Sequence, residues 1–273
     1  MRGRFLVPED RVQKHLSVIC KILTEGRLEK VTGRCISMAV AVPCAALFTR
    51  AQYQALLPLQ RGRDKRRYTR GIQGNRPLST EAIPVRGELK EELSMWLNLD
   101  SYLINGTAWP SCSRVFRLEV EGATDASPRR WGGRSRIATT TQTSWFTAAG
   151  DFSAAEASQQ IAEKEAIALE RVFKGFLEQQ PRDRMDGARF SFKCDSRCVV
   201  DIYNRGGSTK QMVVTRICKR LFLLQLSYRC SLRLEWIPTS ENEADALTRE
   251  DARNGSPQQP SCTYAQYYHT PVT

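Results

Sequence analysis

From Phe116 onward the apolar residues of this chain alternate between two periods, and that alternation limits the folds open to it. Phe116, Leu118 and Val120 alternate with Arg117 and Glu119, which is the period of a half-buried strand. Ile161, Ala168, Leu169, Val172 and Phe176 then recur at i, i+3, i+4 spacing, the buried stripe of an amphipathic helix. Phe190, Phe192 and Cys194 alternate again, and Leu232, Leu234 and Trp236 mark another strand that Pro238 stops. Two further strands are predicted at 134–140 and 143–148, and the first strand covers 115–124. Helices are predicted at 154–178, 197–203 and 209–227, with a last one beginning near Glu241. The order βββ-α-β-α-α-β-α over about 140 residues predicts an α/β domain.

The segment ahead of it reads as mostly helical. Val12, Leu16, Ile19, Cys20 and Leu23 follow helical spacing behind Pro8, and Gly26 ends the run. CISMAVAVPCAALF is interrupted by Pro43 and leads into QYQALLPL. RGRDKRRYTRGIQGNR follows, with seven basic residues and one acid between Arg61 and Arg76. A solvated linker, a phosphate-contacting arm and a nuclear localisation signal all fit that stretch. ELKEELSMWLNL, from Glu88 to Leu99, is amphipathic. The last residues, 250–273, are rich in Ser, Pro, Gln and Thr without periodicity, the pattern of a disordered tail.

Charge narrows the partners. Lys and Arg number 41 against 29 Asp and Glu, a net +12 that points to a polyanion, nucleic acid first. No run of apolar residues is long enough to span a bilayer, and MRGRFLVPED lacks the apolar core of a secretory signal. The expectation is an intracellular protein without a membrane partner, in nucleus or cytoplasm; oligomeric state is not legible. The nine cysteines form no zinc-ligand spacing and read as reduced and mostly buried. His15 and His269, the only two histidines, lie far from the middle of the chain, which argues against His-based nucleophilic catalysis.

Four carboxylates stand in unusual places. Asp125 closes the first strand in EGATDASPRR, with Arg129, Arg130 and a Trp-Gly-Gly behind it. Glu165 lies four residues from both Ile161 and Leu169, on the buried stripe, where a carboxylate is costly unless paired or bound to metal. Asp195 ends the strand in FSFKCDS. Asp245 falls in SENEADALTR, where Ser240 and Glu243 fit a capping box. Taken singly, an Asx turn, a helix cap or an arginine partner accounts for each. Together, two strand ends, an inward helix position and a helix start converge at one edge of a sheet. Four carboxylates without His or Cys ligands make a hard-oxygen set suited to Mg²⁺ or Mn²⁺. Two such ions, about 4 Å apart, serve in-line attack on a phosphodiester.

ATDAS at 123–127 with WGG at 131–133, KEAIAL at 164–169, KCDS at 193–196, GGS at 206–208 and WIPTSENEADALTR at 236–249 resemble a type-1 ribonuclease H domain. The version is similar to that of retrotransposon reverse transcriptases, and the ending is most like DIRS/Ngaro-type elements. The resemblance covers about 112–249. It implies a five-stranded mixed sheet flanked by helices, and it puts the metal-binding catalytic acids on Asp125, Glu165, Asp195 and Asp245. LVPEDRV, VTGRCISMAVAVP, LFTRAQY and ELKEELSMWLNL resemble the thumb-to-connection region after a reverse transcriptase palm. No F/Y-x-D-D motif is present, so polymerase activity is not expected.

The expected organisation is a thumb/connection-like remnant at 1–60, a basic linker and amphipathic helix at 61–111, the ribonuclease H-like domain at 112–249, and the tail. The implied activity is metal-dependent endonucleolytic hydrolysis of RNA in RNA–DNA hybrids, using two Mg²⁺ or Mn²⁺ ions. A non-catalytic nucleic-acid-binding remnant is the alternative. Hybrids are told apart by minor-groove shape and 2′-hydroxyl contacts. Arg129, Arg130, Arg205, Ser208, Lys210, Arg216, Lys219 and Arg220 are candidate contacts to the nucleic-acid backbone. Gly206, Gly207 and Ser208 fit either a close approach to phosphate or a plain helix cap. Many relatives carry a histidine in the loop before the last helix; 237–244 reads IPTSENEA and has none, which implies either slower turnover or a part of that role for Glu241 or Glu243.

Overall fold

The computed structural model describes residues 24–37, 45–70, 82–98, 118–138, 142–249 and 264–271. The chain divides into two compact units, Met1–Ala108 with Gly206–Lys210, and Trp109–Arg205 with Gln211–Thr273.

The first unit contains α1 (Glu25–Ser37), a 3₁₀ turn (Leu47–Thr49), α2 (Arg50–Arg70) and α3 (Gly87–Asn98). Leu28, Val31 and Cys35 of α1 and Leu89, Leu93 and Trp96 of α3 are buried with Leu47, Phe48 and Leu56. Helical spacing sets both stripes on one side of their helices. Thr32, Gln52 and Glu92 find hydrogen-bond partners within this core. Glu92, 1 % exposed, accepts the N–H groups of Ala51 and Gln52 at 2.9 and 3.2 Å, closing the first turn of α2. Trp96 Nε1 donates to the Phe48 carbonyl at 2.8 Å. Residues 61–70 of the expected basic linker continue α2 as helix, and α3 packs with α2, so both belong to the same unit as the segment before residue 61. The helix predicted from Val12 to Leu23 and residues 71–76 of the basic stretch lie outside the described residues.

The second unit is built on β1 (Leu118–Ala126), β2 (Arg130–Ala138), β3 (Gln142–Asp151), β4 (Ala188–Cys194) and β5 (Ser231–Trp236). These five form a mixed sheet in the order β5-β4-β1-β2-β3. The β1–β2 and β2–β3 pairs are antiparallel, and β1–β4 and β4–β5 are parallel. The flanking helices are α4 (Ala154–Ala157), α5 (Ile161–Glu178), α6 (Arg182–Met185), α7 (Arg197–Asn204), α8 (Met212–Tyr228) and α9 (Asp245–Thr248). This is the helix-flanked, five-stranded mixed sheet expected for the domain.

Successive strand residues face opposite ways, and two glycines of β2 reveal what lies on each side. A Cβ on Gly133 would sit 2.6 Å from Val172 of α5, whereas one on Gly132 would sit 2.8 Å from Leu247 of α9. Helix α5 therefore covers one face and α9 the other. On the α5 face, Phe146, Phe173, Phe176, Phe190 and Phe192 are fully buried. They meet edge to face, with the rings of Phe173 and Phe190 5.0 Å apart and those of Phe146 and Phe176 5.6 Å apart. Such pairs contribute about 0.5–1.5 kcal/mol each beyond area burial.

Several expectations are corrected. Tyr264–Pro271, within the segment expected to be disordered, forms a sixth strand, β6, antiparallel to β3. Its YAQYYHT carries three tyrosines, a local strand preference that the Ser/Pro/Gln composition of the wider segment conceals. The helix predicted at 154–178 is broken at 158–160, because Gln160 caps α5 separately with Glu163. Ile161 is 55 % exposed in that new first turn and does not join the buried stripe. The expected Ser240/Glu243 capping box is absent: a 3₁₀ turn spans Thr239–Glu241, and α9 starts from Ala244 without a side-chain cap. Instead Asn242 Oδ1 accepts the Ala244 N–H at 3.1 Å, an Asx turn that replaces the box.

Candidate active site

Asp125 and Asp195 stand at the same end of two parallel neighbours, because Thr124 of β1 pairs in register with Cys194 of β4. Helix α5 brings Glu165 over that end, where Glu165 Oε1 accepts the N–H of Ala126 at 3.2 Å. Helix α9 brings Asp245 from the opposite face, since Thr248 of the same helix donates to Asp125 Oδ2. Asp125 thereby lies within electrostatic reach of Glu165, Asp195 and Asp245. Asp125 and Glu165 are buried, at 5 % and 4 % exposure, and Asp195 and Asp245 are half-buried.

The charges act on one another. Burial pushes the Glu165 carboxyl up to about 9, and the neighbouring Asp125 and Asp195 charges push the same way against the Ala126 N–H. Burial also raises Asp125 above its ordinary value; Thr248 opposes this, Asp195 and Asp245 add to it, and Arg249 lowers it. Glu165 Oε2 is buried and has no hydrogen-bond partner. An orphaned carboxylate oxygen on one of two raised acids, Glu165 and Asp125, fits a divalent cation with oxygen ligands.

The groups that orient the acids escaped the sequence reading. Asn242 Nδ2 donates to the Thr124 carbonyl at 3.0 Å and to Asp125 Oδ1 at 3.3 Å. Thr239 Oγ1 donates to Asp195 Oδ2 at 2.8 Å, and Trp236 Nε1 donates to the Asp195 carbonyl at 2.9 Å. Arg249 pairs with Asp245 one turn away. The buried Lys164 donates from Nζ to the Pro128 carbonyl at 2.8 Å, tying the β1–β2 turn to α5. Asn242, Thr248 and Arg249 stand inside the NEADALTR motif and Lys164 inside KEAIAL, so the motifs held a signal that single-residue chemistry did not reveal. Cys194 is a further omission. Its Sγ and carboxylate oxygens of Glu165 and Asp195 all lie within 4.8 Å of one another. Burial holds the thiol above its ordinary pKa. Among the described cysteines, Cys35, Cys194, Cys218 and Cys230 are buried and reduced, and Cys198 is reduced and exposed.

The basic candidates divide. Arg130 lies 3.6 Å from Asp151, Arg205 3.6 Å from Asp201, and Arg220 makes two bonds to Glu170 at 2.5 and 2.7 Å. Arg216 and Arg220 line a cavity of about 450 Å³ between α5 and α8, to which none of the four acids contributes. Lys219 is half-buried in α8 beside them, and Arg129 is exposed in the turn after Asp125. Lys210 is exposed, and its N–H donates to Ser208 Oγ at 3.1 Å. Within the first unit, Arg50 Nε and Gln54 Nε2 donate to the carbonyls of Gly206 and Thr209. Gly206 holds φ +71, and a Cβ there would meet that of Ala46 at 2.9 Å, so backbone conformation and close packing account for this glycine. Glu243 lies 3.7 Å from Arg134, and Glu241 is exposed. Among the described residues no helix is long and apolar enough to cross a membrane.

No protein family's model matches the sequence, and no curated protein does. Among solved structures, the chain is similar to RNase H1 from the halophilic archaeon Halobacterium salinarum, at 16 % identity over 47 % of this chain and 93 % of that one, with a TM-score of 0.35. It is also similar to the N-terminal RNase H domain of a Mycobacterium tuberculosis protein fused to maltose-binding protein, at 15 % identity over 48 % and 91 %, with a TM-score of 0.34. A foamy viral protease–reverse transcriptase in complex with RNA/DNA hybrid shares 10 % identity over 93 % of this chain and 30 % of that one, with a TM-score of 0.30. At these scores the site stands on its own residues.

Proposed function

We propose that this chain hydrolyses the RNA strand of RNA–DNA hybrids endonucleolytically, through a type-1 ribonuclease H domain of retroelement, DIRS/Ngaro-like descent. One observation carries the reading: at the end of the parallel strands Asp125 acts electrostatically on Glu165 and is acted on by Asp195 and Asp245, and one buried oxygen among them, Glu165 Oε2, has no protein partner. Asp125, Glu165, Asp195 and Asp245 would hold the metal, and their all-oxygen set suits two Mg²⁺ or Mn²⁺ ions. Such ions, when bound, activate water and stabilise the leaving oxygen of a phosphodiester.

The chain's own residues do the positioning. Asn242 and Thr248 fix both oxygens of Asp125, Thr239 fixes Asp195, and Arg249 holds Asp245, so little reorganisation is left for the moment of binding. Hydrogen bonds of this kind set which oxygen faces the reacting phosphate. Arg129, Arg205, Ser208, Lys210, Arg216 and Lys219 are candidate backbone contacts in this reading. Arg130 and Arg220 would first have to leave Asp151 and Glu170. The net charge of +12 supports a nucleic-acid partner.

The test is cleavage of an end-labelled RNA–DNA hybrid by the full chain, in Mg²⁺ and Mn²⁺ separately. Wild type is expected to cut the RNA strand only. Asp125→Asn and Glu165→Gln are each expected to lower the rate about a hundredfold or more, since even outer-shell changes cost 10–100-fold. A folded chain that binds the hybrid and leaves its RNA intact with both metals would overturn the enzyme in favour of a binding module.

A further inference from the structure

The end of the parallel strands contains a donor that the carboxylate set does not use. Cys194 is fully buried at the last position of β4, on the α5 side of the sheet with Phe190 and Phe192. Its Sγ lies within 4.8 Å of carboxylate oxygens of both Glu165 and Asp195. Two donors sharing one ion, with oxygen at about 2.0–2.2 Å and sulfur at about 2.3 Å, stand roughly 3.5–4 Å apart. At most about 1.3 Å of closure would therefore bring the three onto one ion.

Two buried oxygens at this point also await a partner. Glu165 Oε2 has none, and neither does the hydroxyl of Thr124, the residue opposite Cys194 in the β1–β4 register. Buried polar atoms without protein partners are rare in native proteins, and a bound ion is one standard reason for them.

We infer that Cys194, Glu165 and Asp195 form a mixed sulfur–oxygen pocket on the buried side of the acidic site, which captures thiophilic divalent cations such as Cd²⁺ and Zn²⁺. Hard ions have no use for sulfur and would engage the oxygens alone. Soft ions gain a metal–sulfur bond as the thiol proton leaves to solvent, so they sit deeper and hold Glu165 and Asp195 away from the hard-ion arrangement. The pocket deepens the nuclease reading by naming a second class of ligand for two of its acids, and rests on that reading only in sharing them.

The experiment titrates Cd²⁺ into the metal-free, reduced full chain and follows the ultraviolet sulfur-to-cadmium charge-transfer band, with calorimetry in parallel. Wild type is expected to give a band that saturates at one equivalent and recedes as excess Mg²⁺ competes for Glu165 and Asp195. Cys194→Ser, which keeps the side chain's volume, is expected to lose that band, and Glu165→Gln to weaken Cd²⁺ binding about tenfold or more. Thermal melts of each variant establish that it is folded. If folded Cys194→Ser and Cys194→Ala keep a band of wild-type size and affinity, other cysteines bind the ion and the inference fails. It fails equally if calorimetry detects Cd²⁺ binding to wild type without the band. The band is read without nucleic acid. Its absence alongside hybrid cleavage overturns this inference alone, and its presence without cleavage overturns the nuclease reading alone.

Discussion

Glu165 shows how one side chain ties stability to function. Its carboxyl sits near 9 in the folded chain against 4.5 for the free group, so the native state keeps a proton there that the unfolded state releases. Stability is therefore greatest, as far as Glu165 is concerned, below about pH 4.5, and it falls as pH rises until the folded carboxyl itself ionises near 9. The raised Asp125 works in the same direction. The metal-free Glu165→Gln variant is expected to melt higher than wild type at pH 8, with the gap closing toward pH 5. Added Mg²⁺ should raise the wild-type melting temperature at pH 8 more than that of the variant. Equal melting curves for the two at pH 8 would remove the buried-charge account. This residue was legible in the sequence because a carboxylate on an apolar stripe is conspicuous. Thr239 and Asn242 were not, because Thr and Asn are ordinary in loops and only the fold reveals what they bond.

At the scale of elements, β2 is the strand whose composition matters most to the site. Gly133 lets α5 lie close against the sheet, and Gly132 does the same for α9 on the other side. Gly133→Ala puts a methyl 2.6 Å from Val172 and 2.8 Å from the Ala123 carbonyl, and backbone cannot swing aside. It is expected to lower stability by about 1–3 kcal/mol in urea unfolding, the range for overpacked cores. Gly132→Ala instead meets Leu247 Cβ, on a four-residue helix held at one corner of the sheet. Its expected effect is a displaced Asp245 and weaker Mg²⁺ binding, with a smaller loss of stability than Gly133→Ala. Comparing urea midpoints with calorimetric Mg²⁺ affinities for the two variants checks the distinction; identical profiles would refute it. Elements with strong periodicity, such as β1, β4 and the body of α5, were legible from the sequence. The break at 158–160 and the Asx turn before α9 were not, because local caps decide them against an otherwise continuous pattern.

For the whole molecule, each unit has its own buried core, and Glu92 and Trp96 tie the first together much as the phenylalanine cluster fills the second. The sequence marked the α/β domain by its two periods. A charged stretch such as 61–70 reads as a linker by composition and is helix in α2. The pairing of β6 with β3 has a consequence for solubility. Without that pairing, β3 would offer water an unbroken row of peptide donors and acceptors, a template on which a second chain can add its own strand. Deleting residues 250–273 is expected to turn the protein toward concentration-dependent self-association, visible as a rising sedimentation coefficient at loadings where the full chain shows none. Unchanged sedimentation would mean that β3 tolerates being an edge. On this account the last strand acts as a guard against aggregation, on the opposite side of the sheet from the strand β5 that adjoins the candidate site.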